Sequence, residues 1–85
     1  MAKNCTAKAA AEYMREWSGL TAVKGAGRDA GYMYFTAKDS TGAALYIRVS
    51  IQPHEVDNEF FTDIESRDDS MNWQILDSME VVQNG

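Results

Sequence analysis

The sequence predicts an α+β fold, an N-terminal amphipathic helix packed on a small antiparallel sheet, and three observations carry that reading. Residues 7–17 repeat apolar side chains at the spacing of one helix face. Residues 32–38 and 43–51 each alternate apolar and polar positions on either side of a turn. A total of 85 residues leaves room for a single domain with a modest core.

In "AKAAAEYMREW" (7–17), Ala, Glu, Met and Arg are strong helix formers. Ala10, Tyr13, Met14 and Trp17 fall at i, i+3, i+4 and i+7, one apolar stripe. Lys8, Glu12, Arg15 and Glu16 lie largely off it. Thr6 or Asn4 is suited to cap the start, and Gly19 to take the left-handed conformation that closes the end.

"LTAVK" (20–24) reads as a short strand or an extended connector, and "GAGRDAG" (25–31) as a loop. In "YMYFTAK" (32–38), Met33, Phe35 and Ala37 share one face and Tyr32, Tyr34, Thr36 and Lys38 the other. After the turn "DSTG", "AALYIRVSI" (43–51) places Leu45, Ile47, Val49 and Ile51 opposite Tyr46, Arg48 and Ser50. Together these runs predict a hairpin, its inner face against Tyr13, Met14 and Trp17. Pro53 ends the long strand because it has no N–H for a ladder.

Beyond Pro53 two periodicities compete. Val56, Phe60, Phe61 and Ile64 suit a helix, while alternation of Phe60, Thr62 and Ile64 against Phe61, Asp63 and Glu65 suits a strand. Met71, Ile75, Leu76, Met79 and Val82 again suit a helix; Met71, Trp73 and Ile75 suit a strand. The reading adopted is a strand over 59–65 and a helix from about 71 to 80.

Charge divides the chain. The net charge is −5, with seven basic residues against four acidic ones over 1–51 and one against nine over 52–85. Such an acidic half repels phosphate backbones, so the expected partner is a basic, nucleic-acid-handling protein, with no direct nucleic-acid contact. The single Cys5 forms no internal disulfide, the opening residues carry no apolar signal segment, and no run approaches the length of a membrane span. A cytoplasmic protein with no cofactor is expected.

The chemical motifs are thin. "GAGRDA" matches G-x-G-x-x-A, but a β-rich run follows where a phosphate-binding helix is needed. The acidic run lacks the glycine and the closing bidentate acid of a calcium loop. His54 with Glu55 and Asp57 suggests a metal-assisted hydrolase, yet zinc wants three or four N/S ligands and only Cys5 is left to supply sulfur. Tyr32, Tyr34 and Tyr46 beside Lys38 and Arg48 form the aromatic–basic surface that stacks bases in other sheets. The plainer alternative is that the acidic segment covers those tyrosines as a second layer.

"NEFFTDIESRDD" (58–69) sets two phenylalanines among carboxylates, the composition of a protein-binding surface in which a ring fills a pocket and charges steer the encounter. The candidate contact residues are Glu55, Asp57, Glu59, Asp63, Glu65, Asp68 and Asp69, with Phe61 or Phe60 as anchor. A solvated acidic edge is the plain alternative. With "EVDNEFFTDIESRDD" and the helix "AKAAAEYMREW", the chain resembles in size, acidity and mixed patterning the small acidic anti-defence proteins of phages, including anti-CRISPR proteins. That resemblance lies in general character, involves no motif and transfers no residue. The charge asymmetry and the absence of a catalytic set predict a non-enzymatic inhibitor whose carboxylates occupy a groove built for phosphates. The rival expectation is an immunity-, antitoxin- or accessory-type subunit that binds through a sheet edge or the tyrosine face.

Overall fold

A computed structural model describes residues 2–67 and 71–82. They form α1 (Ala7–Trp17) and six strands: β1 (Thr21–Arg28), β2 (Tyr32–Lys38), β3 (Ala44–Ser50), β4 (His54–Val56), β5 (Glu59–Arg67) and β6 (Trp73–Val81). One helix against one antiparallel sheet makes the domain α+β with the sheet dominant.

The cap residues act as their chemistry requires. Thr6 Oγ1 accepts from the Ala9 N–H at 3.2 Å. Gly19, at φ +70, turns the chain so that the Leu20 N–H reaches the Met14 carbonyl at 3.3 Å. Ala10, Ala11 and Met14 are buried in one cluster with Met33, Phe35, Ile47, Val49, Ile64, Met79 and Val81. The two alanines sit where large side chains would hold the helix off the sheet. Trp17 departs from the expected stripe: it is 70% exposed, and Tyr13 is half-buried. The buried arc is centred on Ala10, Ala11 and Met14, which turns Tyr13 to its margin, and Trp17 is the last residue of α1.

β2 pairs with β1 on one side and β3 on the other, and β5 runs between β3 and β4 on one side and β6 on the other. The β2–β3 register is regular from Tyr32↔Ser50 to Lys38↔Ala44, as the alternation predicts. The chain steps out of the ladder between β3 and β4: Val49 opposes Ile64 and His54 opposes Phe61. Pro53 lies in this step. The buried Thr62 hydroxyl donates to the Ser50 carbonyl there at 2.6 Å. Asp57 and Asn58, with φ 52 and 68, make the two-residue turn between β4 and β5, a backbone that Asp and Asn tolerate well.

Two further expectations are corrected. Residues 25–28 belong to β1, and only 29–31 turn. Irregular register on either side of the Lys24–Gly25 pairing lets this glycine-bearing segment stay in the sheet. The segment expected as a helix from about 71 to 80 is instead β6. A register shift around Leu76 adds one residue opposite the Ile64–Glu65 step. Trp73 and Ile75 therefore face outward, whereas Asp77, Met79 and Val81 face inward. That added residue broke the period of two and imitated helical spacing.

Candidate functional site

The two phenylalanines stand in a strand and point to opposite faces. Phe60 packs against the core cluster. Phe61 lies on the outer face between cross-strand neighbours His54 and Glu80, with the His54 ring 6.5 Å away. Of the candidate acids, Glu59 and Asp63 share the Phe61 face of β5. Asp63 accepts from Ser78 Oγ at 2.9 Å. Glu55 is exposed on the Phe60 side and Asp57 sits at the hairpin tip. Glu65 is engaged by Arg48. Asp68 and Asp69 lie outside the described residues.

Phe61 opens into a cleft of about 420 Å³ where α1 passes the β6 edge. Tyr13 and Trp17 supply its helix wall, and Glu16, Glu80 and Lys3 supply charge. Two contacts hold this geometry: the Tyr13 hydroxyl donates to the Ser78 carbonyl at 3.1 Å, and Ser18 Oγ donates to Asp77 Oδ2 at 2.9 Å. The Tyr13 hydroxyl is held protonated above its usual range, first by partial burial and then by Asp77 nearby. Lys3 is fixed by backbone pairing with β6, its N–H donating to Glu80 and its carbonyl accepting from Val82. The cleft is thus aromatic inside, with carboxylates outnumbering the single lysine.

Sequence reading missed Tyr13, Glu16, Trp17 and Glu80 as members of this site. The apolar stripe predicts Tyr13 and Trp17 in the core. The available signal was Trp17 at the last helical turn, immediately before Ser18 and Gly19.

The tyrosine face has a second organisation. The acidic segment lies beside the hairpin within the same sheet, not over it. Tyr34 and Tyr32 are 6.3 Å apart, and Arg48 lies 4.3 Å from the Tyr32 centroid and 4.5 Å from that of Trp73. Arg67 follows at 5.3 Å from Trp73 and 5.0 Å from Tyr46. The result is a row of alternating rings and guanidinium groups across the outer face. Next to Tyr46, Lys24, Thr36 and Lys38 line a recess of about 290 Å³.

The residues tested for catalysis are dispersed. Cys5 Sγ donates to the Ser50 and Ile51 carbonyls at 3.6 and 3.5 Å. Burial pushes its thiol pKa up, away from a reactive thiolate. Among the described residues, no group of three or more His, Cys, Asp or Glu side chains is placed to hold a metal. No described helix is long and apolar enough to cross a membrane. No protein-family model, curated protein or solved structure matches the chain.

Proposed function

We propose that this chain is a non-enzymatic, protein-binding inhibitor whose acid-rimmed cleft captures a basic, nucleic-acid-handling partner. The observation that carries the reading is Trp17, 70% exposed at the lip of a cleft shared with Phe61, Glu16 and Glu80. An indole left in water beside carboxylates is the arrangement of an anchor with a steering rim. Glu59 and Asp63 extend the negative surface along β5. A lysine- or arginine-lined groove that accepts phosphates would accept these carboxylates in their place. Affinity then falls as salt rises, because the contact exchanges counterions as nucleic acid does.

The test is capture of partners from the native host at low and high salt, by the natural chain and by a variant with Glu16, Glu59, Asp63 and Glu80 changed to lysine. The expected result is a set of basic proteins lost both at high salt and with the variant, while circular dichroism shows the variant folded. Unchanged capture by a folded variant overturns the reading.

A second reading has its own support. Ile75 is 66% exposed and Leu76 41% exposed on β6, apolar surface suited to an accessory subunit docking along that edge. Capture that persists at high salt and is lost on Ile75→Lys favours this alternative.

A further inference from the structure

We infer that the outer sheet face around Tyr46 and Trp73 binds a short single strand of nucleic acid, with a base on the exposed Tyr46 ring and phosphates at Lys24 and Lys38. The sequence argues against such contact through its acidic half, 52–85, and the net charge of −5. Folding redistributes that charge. Among the described residues, Lys24, Lys38, Arg48 and Arg67 occupy this part of the face with Glu65, which Arg48 already engages, and Asp39, whose carboxylate is turned onto Thr41 and Ala43 in the adjoining turn. Glu59, Asp63 and Glu80 lie toward the other end of β5, and Asp29 is held at the far end of the row by Tyr34. Charges farther apart than about 8 Å are largely screened from one another at physiological salt, so the local excess governs.

The aromatic chemistry distinguishes the occupant. An acidic peptide would use the lysines and leave the rings idle. A single strand uses both, because every base has a face to stack and its backbone carries the matching charge. Tyr46 is 51% exposed beside the recess formed by Lys24, Thr36 and Lys38, so a base on its ring leaves the flanking phosphate near the two ammonium groups. The guanidinium groups of Arg48 and Arg67 hold the neighbouring rings in a fixed row, which limits the ordering cost of binding.

The experiment uses the Trp17→Phe chain, in which Trp73 is the remaining tryptophan. Its fluorescence is titrated with octathymidylate, inorganic polyphosphate and polyglutamate. Quenching by octathymidylate, with weaker binding of the two polyanions, is expected. Tyr46→Ala should weaken octathymidylate binding roughly tenfold or more. Lys24→Gln with Lys38→Gln should reduce the slope of log affinity against log salt by about 1.4. Asp63→Lys with Glu80→Lys, which disables the acidic cleft, should leave this binding at least as tight, separating the two sites. Absence of quenching, equal binding of the polyanions or indifference to Tyr46→Ala in a folded chain overturns the assignment.

Discussion

Arg48 and Glu65 stand directly opposite each other on β3 and β5, joined by two hydrogen bonds of 3.1 Å from Nε and Nη2 to the two carboxylate oxygens. Their side chains are 23% and 18% exposed, so the pair is partly shielded from water. The fork geometry matches one register of the β3–β5 ladder, and a slip would separate it. Glu65 also holds the guanidinium pKa above its usual range. Glu65→Ala should lower stability by about 1–3 kcal/mol in urea melts, more than Glu59→Ala at its exposed position. Arg48→Met with Glu65→Leu should recover much of that loss, because the orphaned charge is then gone. A double variant no better than the sum of its singles would reject the pair as a coupled unit.

The step between β3 and β4 depends on Thr62. Its fully buried hydroxyl meets the Ser50 carbonyl at 2.6 Å, where regular pairing has stopped. Thr62→Val keeps the volume and removes the donor, so a loss of about 1–2 kcal/mol is expected. Thr62→Ser keeps the donor and should lose mainly the packing of one methyl group. Equal stability of the Val variant and the natural chain would show that the hydroxyl is not what holds this step.

Acid should loosen the two hairpin turns on either side of β2. Asp29 accepts from the Tyr34 hydroxyl at 2.6 Å and from the Gly31 and Tyr32 N–H groups, and Asp39 accepts from Thr41 and Ala43. These donors favour the ionised form, Tyr34 first for Asp29 and the Thr41 hydroxyl first for Asp39, so both pKa values fall below 3.8. The stability they supply is fully present above 3.8 and is lost as pH falls through the lower folded-state values. Asp29→Asn with Asp39→Asn should therefore flatten the acid limb of a melting-temperature profile. The same bond to Asp29 raises the Tyr34 pKa above 10.0; its contribution is present below 10.0 and lost as pH rises through the folded value. Asp29→Asn should weaken that alkaline loss as well. Profiles of unchanged shape at both ends would refute the assignment.

What could be read in advance was whatever the local pattern alone decides. The Thr6 cap, the Gly19 closure and the β2–β3 alternation each have a cause within a few residues, and each is found in the fold. Residues 73–81 resisted because β5 offers them a long pairing edge that no local window contains. The shift at Leu76 then hid the strand period behind helical spacing. The site was legible in part for the same reason. Phe61, Glu59 and Asp63 are neighbours along one strand, whereas Glu80 joins them through the β5–β6 pairing and Trp17 through the docking of α1 at the β6 edge.

Trp17 offers the sharpest contrast between structure and proposed role. A buried tryptophan truncated to alanine costs about 3–5 kcal/mol, whereas a surface position is usually within 0.5 kcal/mol. At 70% exposure Trp17 belongs near the second figure, while Met14, fully buried one turn earlier, should cost about 2–5 kcal/mol when changed to alanine. Trp17→Ala should thus leave the urea midpoint almost unmoved and still weaken partner capture by about thirtyfold, the size of an aromatic anchor's loss. Trp17→Phe should fall between the two, since a ring remains without the indole's full area. If Trp17→Ala melts as early as Met14→Ala, the indole is part of the core. The cleft then has no exposed anchor, and the carboxylates around it are left as surface charge.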